Sequence, residues 1–172
     1  MKYIFDIDLS RCVNCCACAV ACMDQNDIFP EKGDMPLRRC FTVEQGQGMD
    51  VKMTYMSISC MHCADAPCIS ACPVGCIQKD RDTGFTIYDH TNCIGCHSCS
   101  LACPFAAPSF DRDGKMVKCN GCVTRVKHGL EPACVRVCPF DALKLYTGEE
   151  YMEVKKLNAA KSVAGKMNTQ EI

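Results

Sequence analysis

A chain of 172 residues suits one compact domain or two small ones, and a hydrophobic share of 48% permits an ordinary core. A formal net charge of −1 argues against a nucleic-acid partner, since the one basic density, Lys115, Lys118, Arg125, Lys127 and Arg136, brackets cysteines. Cysteine supplies 19 residues, about one in nine, the level of a disulfide scaffold in a short secreted chain.

The N-terminus speaks against secretion. Met1-Lys-Tyr-Ile-Phe-Asp-Ile-Asp carries acids where a signal peptide needs an apolar run, and it reaches Cys12 too soon to hold one. No twin-arginine leader is visible, and no apolar stretch approaches the ~18 residues that span a bilayer. The expectation is a soluble chain in a reducing cytoplasm, where thiols stay free to bind metal.

Tyr3, Phe5, Ile7 and Leu9 alternate to one side, the period of a half-buried strand. The strand leads into Cys12, Cys15, Cys18 and Cys22, spaced by two, two and three residues, with Cys16 as an extra thiol and a short helix expected from Ala19 onward. Residues 27–59 hold no ligand spacing. Pro30, Gly33 and Pro36 mark a loop, and 39–43 and 51–58 read as strands across Gly46-Gln-Gly48, an inserted hairpin in which Cys40 is expected to be a small buried hydrophobe.

The second group, Cys60, Cys63, Cys68 and Cys72, widens its middle gap to four residues and closes on Pro73. Cys76, a turn at Arg81-Asp-Thr-Gly84 and a strand over 85–89 lead to the third group, Cys93, Cys96, Cys99 and Cys103, closed by Pro104. A hairpin is expected over 107–111 and 116–118 around Arg112-Asp-Gly-Lys115. The fourth group, Cys119, Cys122, Cys134 and Cys138 before Pro139, has eleven residues in its middle gap, including a helical turn over 123–128 ended by Gly129. A strand over 141–146 follows. Residues 149–167 open on glutamates, continue in lysines and space Val154, Leu157, Ala160 and Ala164 near the helical period, which predicts an amphipathic helix.

Two, two, three and proline is the bacterial ferredoxin spacing for a [4Fe-4S] cubane. Ligands three residues apart wrap three iron corners while backbone N–H groups point at sulfur. The fourth cysteine faces away and, in two-cluster ferredoxins, ligates the neighbouring cluster, so the groups must work in pairs. Groups two and three pair by proximity, leaving one and four. Four clusters are therefore expected: Cys12, Cys15, Cys18 with Cys138; Cys119, Cys122, Cys134 with Cys22; Cys60, Cys63, Cys68 with Cys103; and Cys93, Cys96, Cys99 with Cys72. Sixteen thiolates and four cores of two positive charges each take the formal −1 to about −9.

Other readings of these residues are weaker. Group four alone would pass for a four-cysteine zinc site, but three more groups with cluster spacing stand beside it. Disulfides suit neither an odd count nor thiols three residues apart in a loop. Cys16, Cys40 and Cys76 are left without a ligand role. His62 and His97 lie inside cluster loops, as donors to cluster sulfur or as plain exposed histidines. His90, His128 and the ten methionines carry no ligand signal. A radical enzyme needs Cys-x3-Cys-x-x-Cys, yet Gln25, Gly75, Lys79, Ala106 and Asp141 stand where its last cysteine would fall. Neither a phosphate loop nor a dinucleotide fingerprint is present, so no active site of the chain's own is identified.

The order of the four groups, the hairpin before Cys60, the string Cys60-x-His62-Cys63-x4-Cys68-x3-Cys72-Pro73 and the run from Lys118 to Pro139 resemble the electron-transfer iron–sulfur subunit of the dimethyl sulfoxide reductase family over residues 3–146. That resemblance implies the same pairing of groups. It also implies four complete cubanes, since Cys96 stands where some members carry tryptophan. It implies an anaerobic oxidoreductase complex in which electrons pass between a molybdenum- or tungsten-pterin catalytic subunit and a second redox protein. The chain is expected to lack the C-terminal membrane anchor that some members carry.

The expected fold is α+β: two ferredoxin-like 2[4Fe-4S] lobes with an inserted β-hairpin and a C-terminal helix. Residues 1–26 and 105–146 would form an outer lobe, 27–59 the inserted hairpin, 60–104 an inner lobe, and 147–172 a helix and tail. The alternative is a freestanding polyferredoxin or a scaffold that self-associates through that helix.

Overall fold

The computed structural model describes residues 2–168, and side chains as far as 164; residues 169–172 of the expected tail lie outside the described part. The chain is α+β; its described residues form short helices, one long C-terminal helix and four two-stranded antiparallel sheets. Strand β1 (Tyr3–Ile7) is followed by helix α1 (Ala17–Gln25), the hairpin β2 (Arg39–Gln45) and β3 (Lys52–Ile58), and α2 (Pro67–Ser70). Then come β4 (Ile77–Lys79), β5 (Thr86–Tyr88), α3 (Ser98–Ala102), β6 (Ser109–Phe110) and β7 (Met116–Val117). Helices α4 (Val123–Lys127) and α5 (Ala133–Arg136), strand β8 (Leu143–Thr147) and helix α6 (Gly148–Asn168) complete the described chain.

The strand expected over residues 3–9 stops at Ile7, because Asp8 turns the chain by accepting from the Ser10 N–H and hydroxyl at 3.0 and 2.6 Å. Strands β1 and β8 pair from Tyr3↔Thr147 to Ile7↔Leu143, so the two ends of the cysteine-bearing region close on one another. β2 and β3 pair over seven residues each, from Arg39↔Ile58 to Gln45↔Lys52.

Two apolar clusters form the core, and cysteines belong to both. One gathers Phe5, Cys18, Phe85, Val126, Cys134, Val135 and Leu143; the other gathers Cys68, Ile77, Cys99 and Met116. Phe85 is wholly buried and sits 5.5 Å from Phe5, 6.0 Å from Tyr3 and 4.8 Å from His62, ring centre to ring centre, within the range of favourable aromatic contact. Three distant stretches of sequence thus meet on one ring.

The turn between β4 and β5 is locked by Asp80. Its Oδ1 accepts from the Thr83 N–H at 2.9 Å and the Thr83 hydroxyl at 2.8 Å, while Oδ2 accepts from Lys127 at the end of α4 at 2.6 Å. The Thr83 carbonyl in turn accepts from the Tyr3 N–H at 2.9 Å, which fastens β1 to this turn.

Helix α6 starts with reciprocal caps. The Glu150 carboxylate accepts from the Thr147 N–H at 2.8 Å, and the Thr147 hydroxyl accepts from the Glu150 N–H at 3.3 Å. The helix forms where the sequence predicts it; of its expected apolar stripe Val154 is half-buried, while Leu157, Ala160 and Ala164 are exposed. Among its described side chains only Tyr151 and Val154 are half-buried beyond the first residue, and Met152, Leu157 and Val163 are 54%, 55% and 58% exposed. Among the described residues no helix is long and apolar enough to cross a membrane.

Against the cost of burial, the hydrogen bonds from Lys127 and Thr83 hold the Asp80 carboxyl down at about 2. Its unfolded value is near 3.9, so the ionised form stabilises the fold above about pH 4, and that contribution is lost as the pH falls toward 2. Asp80→Asn is expected to cost about 1.5 kcal/mol, the worth of hydrogen bonds to a charged group. The decrement in thermal unfolding temperature should be the same at pH 5 and pH 8; a penalty that disappears by pH 5 would refute this account.

Candidate metal centre

The four cysteine groups share a backbone device. The second residue after each leading cysteine is left-handed: Asn14 at φ 57°, His62 at 48°, Gly95 at 65° and Gly121 at 73°. This curl carries the chain around between the first two thiols, and it explains the glycines of groups three and four. A second curl follows each closing proline. Gly75, Ala106 and Asp141, three residues beyond Cys72, Cys103 and Cys138, have φ of 65°, 48° and 50°. The turn aims the Ala107 N–H at Cys103 Sγ (3.5 Å) and the Ala142 N–H at Cys138 Sγ (3.3 Å). Gly121 and Met116 likewise donate to Cys119 Sγ and Cys93 Sγ, each at 3.4 Å. Amide dipoles therefore converge on sulfur, as negative charge there requires.

Between them the groups line cavities. Cys12, Cys15, Cys18 and Cys138 border one with about 360 Å³ of atom-free space, part of it open to solvent. Cys22, Cys119, Cys122 and Cys134 border a second of about 310 Å³, and Cys72, Cys93, Cys96 and Cys99 a third of about 270 Å³. Cys60, Cys68 and Cys103 act on one another electrostatically, and Lys79 lies within the influence of Cys63, Cys60 and Cys68. Among the described residues no three His, Cys, Asp or Glu side chains are gathered so as to hold a metal ion. The sulfurs stand around spaces instead.

Neighbouring groups share helices. Cys18 and Cys22 lie four residues apart on α1, which packs on α5, where Cys134 stands, with Cys138 just beyond. Cys68 on α2 and Cys99 on α3 lie likewise just before Cys72 and Cys103, and these two helices touch. Lys118 and His62 join the halves. Lys118 Nζ donates to Cys60 Sγ at 3.8 Å, and His62 Nε2 lies 3.7 Å from Cys119 Sγ. Adjacency thus orders the groups as Cys12, Cys119, Cys60 and Cys93, each named by its leading cysteine.

Burial and charge show what these spaces want. Burial pushes the Cys22 thiol up to about 12, with Cys119 and Cys134 adding repulsion, and raises Cys60, Cys68, Cys99, Cys119, Cys122 and Cys134 as well. Such thiols keep their protons until a metal replaces them. Two cations are nonetheless buried among them. Arg38 is 3% exposed and donates to the Ser57 carbonyl and hydroxyl and the Ser59 hydroxyl at 3.3, 3.0 and 2.7 Å. Lys118 is 1% exposed and donates to the Thr86 and Cys119 carbonyls as well as to Cys60. Neither has a carboxylate partner among the described residues. A buried cation needs a counter-charge, and four thiolates on a +2 iron–sulfur core supply a net −2 where neutral thiols supply none. The residues fit such a group.

The three surplus thiols are not remote. Cys16 and Cys40 border the Cys12 cavity and Cys76 the Cys93 cavity, with Cys40 Sγ 3.9 Å from Cys18 Sγ and Cys76 Sγ 3.4 Å from Cys72 Sγ. Cys40, expected to be buried, is half-buried, because its strand forms the wall of that cavity. His62 is buried, not exposed: its ring stacks on Phe5 at 5.5 Å, and Nδ1 accepts the Thr86 N–H at 3.0 Å. Burial, with Lys118, Lys79 and Arg38 nearby, holds His62 well below the ordinary histidine value. His97 stacks on Phe110 at 3.7 Å beside the Cys93 cavity. Arg38 escaped the sequence reading because it lies outside every motif.

The 4Fe-4S dicluster domain family matches residues 51–148. The chain is similar to the probable anaerobic dimethyl sulfoxide reductase chain YnfG of Escherichia coli, with 40% identity over 158 residues, 87% of this chain and 75% of that one. It is similar to the thiosulfate reductase electron transfer subunit PhsB of Salmonella typhi, with 40% identity over 145 residues, covering 83% and 74%. It also resembles the nitrate-inducible formate dehydrogenase iron–sulfur subunit of Escherichia coli at 37% over 169 residues, covering 90% of this chain and 58% of that one.

A Cβ on Gly121 would lie 2.6 Å from Phe85 Cδ2, at a φ of 73° that L-residues rarely adopt. Gly121→Ala is expected to destabilise the chain by about 3 kcal/mol through overpacking and backbone strain, and to reduce the iron retained. Chemical denaturation and iron analysis measure both; wild-type values would show that the Phe85 ring moves aside at no cost.

Proposed function

We propose that this chain, which belongs to the 4Fe-4S dicluster family of iron–sulfur subunits of the dimethyl sulfoxide reductase type, relays electrons through four [4Fe-4S] clusters between a molybdenum- or tungsten-pterin catalytic subunit and a second redox protein. Each cluster supplies a one-electron couple whose potential the surrounding protein tunes. The ligands are the four sets expected from spacing: Cys12, Cys15, Cys18 and Cys138; Cys22, Cys119, Cys122 and Cys134; Cys60, Cys63, Cys68 and Cys103; and Cys72, Cys93, Cys96 and Cys99.

The observation that carries this reading is exposure along the order of groups. Cys15 in the first set and Cys96 in the last are exposed, whereas the two inner sets contain only buried and half-buried cysteines. A relay needs two reachable ends and a protected middle. Support for two lobes comes from the apolar cluster that joins Cys18 and Cys134 of groups one and four to the paired strands β1 and β8, and from the separate apolar cluster that holds Cys68 and Cys99 of groups two and three. A reducing compartment, the cytoplasm in our reading, keeps the thiols available. The exposed apolar side chains of α6 favour one alternative, a carrier that associates with itself through that helix.

Anaerobically purified protein should contain about sixteen iron and about sixteen acid-labile sulfide per chain, four of each per cubane. Values well below that would overturn the count. On size exclusion from the native host the chain should co-elute with a molybdenum- or tungsten-containing large subunit; recovery only as a lone low-mass protein, or as an assembly of copies, would favour the carrier.

A further inference from the structure

The contact between the two inner cysteine sets is reciprocal. Lys118 directly precedes Cys119, yet its ammonium reaches Cys60 Sγ of the other set at 3.8 Å. His62 stands between Cys60 and Cys63, yet its Nε2 faces Cys119 Sγ at 3.7 Å. Each loop therefore offers a polar hydrogen to the other loop's leading cysteine.

Both groups are held to this task by one residue. The Thr86 N–H, on a strand residue 1% exposed, donates to His62 Nδ1 at 3.0 Å. An acceptor at Nδ1 places the ring hydrogen on Nε2, the atom that faces sulfur. The Thr86 carbonyl accepts from Lys118, as does the Cys119 carbonyl at 2.9 Å. An ammonium has three hydrogens, and here three acceptors take them: two carbonyls and one sulfur. The His62 ring is further clamped by Phe5 and Phe85, with centres at 5.5 and 4.8 Å. Neither side chain can turn away without stranding a buried polar group.

We propose that His62 and Lys118 are positioning residues that donate crosswise, His62 Nε2–H to Cys119 Sγ and Lys118 Nζ–H to Cys60 Sγ, and so raise the reduction potentials of the two inner clusters together. The inference rests on the four-cluster reading. Adding one electron takes a cluster with its four thiolates from net −2 to −3 without making or breaking a bond. A hydrogen bond or a cation at a ligand sulfur favours the reduced form. In the relay the electron comes from the adjacent cluster; in the experiment it comes from a dithionite-type reductant.

The test is a potentiometric titration of the anaerobic holoprotein followed by electron paramagnetic resonance, with iron and sulfide counted on the same samples. Lys118→Met and His62→Leu remove the donors; Lys118→Gln and His62→Gln keep size and an N–H. With iron at the wild-type count, the two donor-removing variants should each lower the potential of one or two of the four steps. The shift is about tenfold in the reduced-to-oxidised ratio at fixed potential, or about 59 mV for a one-electron couple. His62→Gln should recover most of its shift. Wild-type potentials in Lys118→Met and His62→Leu, or an equal shift of all four steps, would overturn the proposal. So would loss of iron from all four variants, because donors that act on potential alone leave the cysteines able to hold iron. Wild-type protein with well under four steps would instead fault the cluster count.

Discussion

Everything in this fold answers to the cost of concentrating negative charge. Thiolates crowded into a protein interior repel one another and lose their hydration, which is why burial favours the protonated thiols at Cys22 and Cys119. The chain meets that cost with positive ends of dipoles and with whole charges. Amides of Ala107, Met116, Gly121 and Ala142 point at sulfur, and Arg38 and Lys118 are buried with no carboxylate among the described residues to neutralise them. The dependence runs both ways. These cations need the clusters as much as the clusters need them, so folding and cluster insertion are linked.

Geometry follows from the same demand. Amides converge on a sulfur only if the backbone curls tightly around it, and tight curls need left-handed residues. Glycine supplies two of the four leading curls, at Gly95 and Gly121, while Asn14 and His62 supply the others. At Gly121 the absent Cβ has a second use, since the wholly buried Phe85 ring fills its place. One atom's absence therefore permits a ligand loop and the packing of the main apolar cluster.

Much of the candidate site was legible in the sequence because its grammar is local. A cysteine spacing of two or three residues constrains where thiols stand, and the pairing of groups followed from where each fourth cysteine must face. Three of the four expected sets line one cavity each. What escaped was non-local. Arg38 reads as a loop arginine before a strand; only the folded hairpin, with Ser57 and Ser59, carries it among sulfurs. His62 was ambiguous, because its neighbours Phe5, Phe85 and Thr86 are distant in sequence. Helix α6 was legible as well, forming where its spacing placed it, but spacing alone did not say what meets its apolar face, and the structure leaves Leu157 and Val163 exposed.

The two cysteines of α1 set a ruler. Cys18 and Cys22 are separated by one helical turn, a rise of about 6 Å that hardly varies with surface sequence. They border different neighbouring cavities, so the offset between these two linings is inherited from helix pitch and not from side-chain packing. An insertion of one residue between these cysteines would swing the second thiol by about 100° around the axis and break the succession outright. The middle gaps of groups two and four, four and eleven residues long, escape that constraint because no single helix spans them.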